Sequence, residues 1–245
     1  MEESVKVKLV MDKRNSLLYW LPRAAKAGIP FPKTVVLEVN WGFDYVRFIE
    51  EPFPKDLVEQ IRYTVKEIGY PLFMRTDYLS GKHCFEKWVP YVSCEEELFD
   101  NLRLLLEESA TAGILGLPVN ALVFREFVEL DAGFKAFAGQ PIAPERRYFV
   151  KDGKVLCHHP YWVEEAIEFY GVTPPNNWRE KLREMNTESE EEVRLLTRYA
   201  EAIGSRVEGY WSIDFALRRD KKWIFIDMAL GEVSWHPECS RRYNS

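Results

Sequence analysis

Tyr210-Trp-Ser-Ile-Asp-Phe-Ala-Leu217 and Trp223-Ile-Phe-Ile-Asp-Met228 decide the reading of this chain. Each is a run of aromatic and aliphatic residues broken by one carboxylate. Arg218-Arg-Asp-Lys-Lys222 between them is the charged turn of a hairpin. A carboxylate buried among apolar residues is unfavourable unless a cation, an arginine or several donors meet it. The hairpin can bring Asp214 and Asp227 to the same end of a sheet. There they would form a magnesium site, with one or two carboxylates completed by water and phosphate oxygens. The alternative is that each aspartate is salt-bridged or lies at the solvent edge.

Upstream, the pattern alternates strands with amphipathic helices. Ser16 to Ala27 reads as a helix stopped by Gly28, and Pro22 either kinks it or starts a second turn. Thr34 to Val39 is a strand. Leu57, Val58, Ile61, Val65 and Ile68 recur at helical spacing up to Gly69. Pro71 to Arg75 is a short strand, Thr76 to Lys82 a polar loop, and His83 to Val89 the returning strand. Ser93 and Glu96 form a capping box ahead of a helix carrying Leu98, Leu102, Leu105 and Leu106. Ala121 to Val128 is a strand, and Gly133 to Phe137 a short one. Asp152-Gly153 joins Arg146–Val150 to Lys154–His158 as a tight hairpin. Val172 to Asn177 is a loop. Thr187/Glu190 and Ser189/Glu192 compete to cap a helix with Val193, Leu196, Ala200 and Ile203 on its buried face and Gly204 at its end.

The 245 residues fit one large domain or two intimate ones. A composition 47% hydrophobic and 29% charged is that of an ordinary globular chain, and excludes disorder, collagen and coiled coil as the main reading. No apolar run is long enough to span a membrane. No apolar signal region follows Met1-Glu2-Glu3-Ser4, which argues against secretion. A net charge of −6 argues against a general nucleic-acid binder, leaving room for a local basic groove. Cys84, Cys94, Cys157 and Cys239 include no C-x-x-C pair and read as free thiols in a reducing, cytoplasmic compartment. His83, His158, His159 and His236 lie near cysteines. Neighbours on a strand point to opposite faces, so a tetrahedral zinc site is disfavoured.

Arg75, Lys82, Lys135 and Arg147 lie on or beside predicted strands. Turned inward they would neutralise a polyphosphate, and turned outward they are solvated surface charges. Glu126-Phe127-Val128 ends a strand before a polar bend, where backbone groups can read an adenine edge, or it is a plain strand end. His158-His-Pro-Tyr-Trp162 either lines a substrate pocket or is an aromatic packing corner. Neither G-x-x-x-x-G-K-S/T nor G-x-G-x-x-G occurs, so P-loop and Rossmann readings fall.

Five motifs come in a recognisable order. They are Arg75-Thr-Asp-Tyr-Leu-Ser-Gly-Lys82, Arg125-Glu-Phe-Val128, Pro141-Ile-Ala-Pro-Glu-Arg-Arg-Tyr-Phe149, His159-Pro-Tyr-Trp162, and Asp214 with Asp227. From about Gly28 to about Pro237 the chain resembles the ATP-grasp superfamily, in the small single-domain form of prokaryotes and phages. The resemblance implies an α+β, ATP-grasp fold in which two α+β subdomains clamp a nucleotide. The expected division is an N-terminal α/β segment over 1–70, a lid-like subdomain over 71–118 and a C-terminal subdomain with the metal site over 119–245.

It also implies ATP and magnesium as cofactors. Arg75 and Lys82 would hold α- and β-phosphate oxygens, helped by Lys135. Glu126, Phe127 and Val128 would be the adenine hinge, and Arg147, with Lys82, would face the transferred phosphoryl group or the substrate carboxylate. Asp214 and Asp227 would hold magnesium. The family places an asparagine two residues after the last acidic ligand; here Ala229 stands there, and Glu232 is the expected replacement. The implied chemistry is a carboxylate–amine ligation through an acyl phosphate on an amino acid, peptide or small metabolite. A phosphotransferase, or a nucleotide-binding module without catalysis, is the alternative. Nucleic acid would enter only through Arg218-Arg219 and Lys221-Lys222, which read more simply as a solvated turn.

Overall fold

The Ser16 hydroxyl accepts the N–H of Leu18 and so starts helix α1 (Leu17–Ala24), which contains Pro22. A short 3-10 turn follows, and Gly28 ends it at φ 70°, a left-handed position suited to glycine. The computed structural model describes residues 11–81, 89–112, 116–137, 139–169, 174–237 and 241–242. Its chain divides into two compact units, one of residues 1–31 with 129–245 and one of residues 32–128.

The 32–128 unit holds strand β1 (Thr34–Gly42) and helices α2 (Arg47–Glu50) and α3 (Lys55–Lys66). Strands β2 (Leu72–Thr76) and β3 (Tyr91–Val92), helix α4 (Glu95–Thr111) and strand β4 (Val119–Glu126) complete it. Its antiparallel sheet runs β1-β4-β2-β3. Leu72 and Met74 on β2, with Leu122 and Phe124 on β4, alternate along their strands and form one apolar face. Ile61 and Val65 of α3 and Leu98, Leu102, Leu105 and Leu106 of α4 are buried in the same cluster.

The helix faces therefore lie as the periodicity predicts, while the α4 cap differs by one residue. Ser93 donates from its N–H (2.9 Å) and hydroxyl (2.8 Å) to Glu97, not Glu96, because Cys94 is the N-cap. Of the expected His83–Val89 strand, 83–88 lie outside the described residues, and Val89 stands in a turn. β1, β2 and β4 come from all three segments of the division expected from the sequence, yet they share this one sheet.

The other unit is built on the antiparallel sheet β10-β9-β7-β8-β11, beside the ribbon of β5 (Phe134–Ala136) and β6 (Gln140–Ile142). Its strands are β7 (Glu145–Lys151), β8 (Lys154–Pro160), β9 (Tyr210–Leu217), β10 (Trp223–Leu230) and β11 (Arg241–Arg242). Asp152 (φ 49°) and Gly153 (φ 79°) both take positive φ, as a primed two-residue hairpin requires. Helices α5 (Glu164–Phe169), α6 (Trp178–Asn186) and α7 (Glu190–Gly204) complete it. Ser189 wins the capping competition, its hydroxyl accepting the Glu192 N–H at 3.1 Å. At Gly204 a Cβ would collide with the Val150 side chain, so α7 sits closely on β7.

Trp162 belongs to a core cluster with Phe134, Phe137, Ile142, Trp178 and Leu182. Among the described cysteines Cys94 is free and Cys157 is disulfide-bonded. That corrects the expectation of free thiols throughout and removes its support for a reducing compartment. No described helix is long and apolar enough to cross a membrane.

Candidate active site

Four ionisable side chains occupy one row across the large sheet. Asp227 on β10 pairs with Asp214 on β9, Asp214 with Arg147 on β7, and Arg147 with His159 on β8. Directly opposed residues share a face, so the row is one surface. Two β-bulges set it. Between Phe225 and Asp227 the β10–β9 register shifts by one; without the shift Asp227 would oppose Ile213 and face away from Asp214. Between Phe149 and Val150 the β7–β8 register shifts likewise; without it Arg147 would oppose His158 in place of His159.

Arg147 and Asp214 form a two-pronged ion pair, Nε to Oδ1 at 2.8 Å and Nη2 to Oδ2 at 2.7 Å. Nη1 donates to the Trp235 carbonyl at 3.3 Å, and the guanidinium lies 4.7 Å from the centre of the Tyr161 ring. Burial on its own would lower the Arg147 pKa; the charge and hydrogen bonds of Asp214 reverse this and raise it. The salt-bridge alternative for Asp214 is thus present in the structure. Asp227 is half-buried, and its Oδ1 accepts the Met228 N–H at 3.0 Å.

The neighbouring Arg146 points the other way. Only 1% exposed, it binds Glu192 at 2.7 Å, Glu188 at 3.3 Å and the Met185 carbonyl at 2.9 Å. Its role is to tie β7 to the start of α7. His158 shares that side, stacked on Tyr148 at 4.7 Å and 3.1 Å from Glu188.

His159 is 2% exposed, with Nδ1 2.7 Å from the Pro160 carbonyl. A carbonyl only accepts, so Nδ1 carries the proton and Nε2, buried with no hydrogen-bond partner, is a bare acceptor. Burial, then the nearby Arg147 charge, outweigh the Pro160 carbonyl and lower its pKa to about 4. The unfolded imidazole binds a proton near pH 6.5, so between that pH and about 4 the unfolded state holds more protons. Stability carried by His159 is therefore full above pH 6.5 and falls as the pH drops toward 4. Histidine NMR should show one ring titrating near 4; a midpoint at the ordinary value would contradict its burial.

The structure brings together Arg147, Asp214 and Asp227. Glu232 is exposed in the turn after β10. Among the described residues no three His, Cys, Asp or Glu side chains form a metal-holding group, so the three acidic residues named from the sequence do not make one. The two aspartates still fit magnesium. An ionised carboxylate has about four acceptor positions, more than one partner takes, and magnesium needs only one or two carboxylates beside its water and phosphate ligands. Lys135 is exposed on β5.

In the 32–128 unit Arg75 is buried on β2 and donates from Nε to the Thr76 carbonyl at 3.1 Å. The Glu126 carboxylate accepts the Lys33 N–H at 2.8 Å, and its own N–H donates to the Lys33 carbonyl at 2.9 Å. Glu126 is therefore committed to holding the start of β1. Phe127 packs edge-on against Tyr91 at 4.8 Å. Lys82 lies outside the described residues.

Sequence reasoning missed Asp77. It is fully buried, and its Oδ1 accepts the N–H groups of Asn120 (2.9 Å) and Ala121 (3.2 Å), pinning the start of β4 beside the end of β2. It also missed Trp235, whose ring meets His159 edge-on at 5.7 Å. Neither has a local signature, since both act on partners far along the chain. In the basic turn, Arg218 and Lys222 pair with Asp220, Arg219 with Glu129 and Lys221 with Asp131. The turn is a lattice of exposed ion pairs, which leaves little unbalanced positive charge for nucleic acid.

The fold has clear relatives. Cdc123 from Schizosaccharomyces pombe superposes with a TM-score of 0.56 at 12% identity, over 94% of this chain and 86% of that one. An ADP complex of purK, an N5-carboxyaminoimidazole ribonucleotide synthetase, gives 0.52 at 12% identity, over 91% of this chain and 45% of that one. VanG D-Ala:D-Ser ligase from Enterococcus faecalis gives 0.51 at 13%, over 92% of this chain and 54% of the ligase. The chain thus spans about half the length of these two enzymes. At such identities the likeness shows the fold alone. No curated protein sequence matches the chain. A family model described as an ATP-grasp domain, family 3 of its clade, matches residues 49–243, and the chain belongs to that ATP-grasp family.

Proposed function

We propose that the chain is an ATP- and magnesium-dependent carboxylate–amine ligase acting on an amino acid, peptide or small metabolite. The observation that carries this is the row Asp227–Asp214–Arg147–His159. Two adjacent carboxylates suit a divalent cation, and the fixed guanidinium beside them suits an anion. Asp214 and Asp227 would hold magnesium, which when bound neutralises charge on the phosphate oxygens.

Arg147 keeps N–H donors beyond those given to Asp214 and Trp235. They would hold the substrate carboxylate, or the phosphoryl group it receives, in a fixed orientation. A carboxylate oxygen attacks the γ-phosphorus, the bond to the β-bridging oxygen breaks, and ADP leaves. The amine nitrogen then attacks the acyl carbon, and phosphate and a proton depart. Positioning and charge supply most of this chemistry, so no nucleophilic side chain is required. Arg75, Lys82 and Lys135 keep their implied phosphate-binding roles. Because Glu126 is committed to Lys33, Phe127 and Val128 are the better candidates for reading adenine.

The test is thermal unfolding with ATP and magnesium, followed by ADP release across carboxylate and amine pairs. Nucleotide at about 100 times its Kd adds about 2.7 kcal/mol, a rise of roughly 5–10 °C for a chain this size. No shift at saturation overturns the reading. ADP formation tied to a new amide supports the ligase, while a stable phosphorylated product points to a phosphotransferase. Ala229, in place of the family's second ligand, favours one further outcome, nucleotide binding without turnover.

A further inference from the structure

After β10 the chain turns back across the face of the sheet that bears the site. The Gly231 N–H donates to the Tyr210 carbonyl at 2.9 Å, and a Cβ at Gly231 would collide with the Tyr210 ring, so the turn is seated tightly. The next residues cross the strands in turn. The Ser234 hydroxyl meets that of Ser212 on β9 at 2.6 Å. The Trp235 carbonyl accepts from Arg147 on β7, and the Trp235 ring stands edge-on to His159 on β8. The His236 ring packs edge-on against Phe149 on β7 at 3.9 Å, and its Nε2 lies 3.1 Å from Cys157 Sγ on β8. Ser212, Phe149 and Cys157 pair across β9, β7 and β8, one row beside Asp214, Arg147 and His159. Residues 231–237 are therefore a strap in contact with both rows.

The far end of the strap meets Cys157, which is disulfide-bonded. Cys94 is free, which leaves Cys84 and Cys239 as partners within the chain. His236 touches the Cys157 sulfur, Arg242 pairs with Cys157 between β11 and β8, and Cys239 stands between these two in the sequence. Cys157 is 5% exposed, while His236 beside it is exposed. An imidazole next to a sulfur favours its thiolate, and a thiol that ionises readily is the faster leaving group. We propose that Cys157 and Cys239 form a redox-active disulfide that fastens the strap over Arg147, with His236 promoting its reduction by a dithiol. A thiolate of the dithiol attacks the Cys239 sulfur, the S–S bond breaks, and Cys157 leaves as a thiolate beside the His236 Nε2–H. The second thiol then attacks the mixed disulfide, releases Cys239 and closes the reductant's own disulfide; the protein gains two electrons and two protons. The freed strap gives up the Arg147 N–H held by the Trp235 carbonyl. Only the consequence of that release for turnover rests on the ligase reading above.

The experiment uses the full chain. Peptic digestion of the unreduced protein in acid, read by mass spectrometry, should yield Cys157 linked to Cys239. A link to Cys84, or Cys157 as a free thiol, overturns the proposal. After reduction with dithiothreitol, peptides spanning 231–242 should exchange hydrogen about tenfold faster, while those of β4 keep their rate. Cys239→Ser, which spares the buried Cys157, should exchange like the reduced parent. His236→Phe keeps a ring against Phe149 and removes the nitrogen beside the sulfur, so it should slow reduction about tenfold. Unchanged exchange after reduction, or an unchanged reduction rate in His236→Phe, overturns the proposal as well. ADP formation is followed in parallel on both forms. A rise on reduction supports the release of Arg147, and equal turnover in both forms overturns the strap's hold on it. No turnover in either form, with the exchange difference present, removes the ligase reading and leaves the disulfide latch.

Discussion

Arg147→Ala should cost about 3–5 kcal/mol of stability, because it strands a buried carboxylate. The Asp214 side chain is 6% exposed and the Arg147 side chain 13%, so water cannot replace the two lost hydrogen bonds. The urea midpoint should fall with little change in slope. Arg147→Lys should recover only part of the loss, since an ammonium cannot form both prongs of the pair. Replacing both residues, Arg147→Met with Asp214→Leu, should recover most of the stability while abolishing any activity, because no charge is left uncompensated. If Arg147→Ala is as stable as the parent, the pair does not hold β7 to β9 as the structure shows it.

Asp227→Asn should leave the fold intact and lower ADP formation by about 10²–10³-fold, the range for removing one group that stabilises transition-state charge. Asparagine has the same shape, and its Oδ1 can still accept the Met228 N–H at 3.0 Å, so the strand is not disturbed. The charge is lost, and one carboxylate oxygen becomes an N–H donor. Thermal stability without nucleotide should therefore match the parent, and the magnesium-dependent part of the nucleotide shift should shrink. Turnover equal to the parent would remove Asp227 from the metal site. Turnover lost together with stability would point to a structural role instead.

The elements were legible where local chemistry dictates them. Asp152-Gly153 specified the β7–β8 hairpin, because both residues tolerate the positive φ it needs. Leucine spacing named the buried face of α4, while two capping boxes at Thr187 and Ser189 left the start of α7 open until the Ser189 hydroxyl was seen to accept the Glu192 N–H. The ordered motifs named the superfamily later shown by residues 49–243. β6, α5 and α6 were not named. They are short, and Trp178 and Leu182 of α6 are held by packing in the cluster with Phe134, Phe137 and Trp162 more than by a local signal.

Local residue pattern is enough to place Asp214 and Asp227 as single carboxylates in paired apolar strands, and a basic residue at 147. That they meet is a property of the folded sheet. Side chains alternate with a period of two along a strand, so a slip of one residue turns a carboxylate to the opposite face. The bulge between Phe225 and Asp227 places Asp227 beside Asp214, and the one between Phe149 and Val150 places His159, not His158, beside Arg147. The same alternation separates the adjacent arginines, sending Arg146 to Glu192 and Arg147 to Asp214. A bulge is settled by packing against the neighbouring strands, and such partners lie far away along the chain, as Arg147 and Asp214 do at a separation of 67.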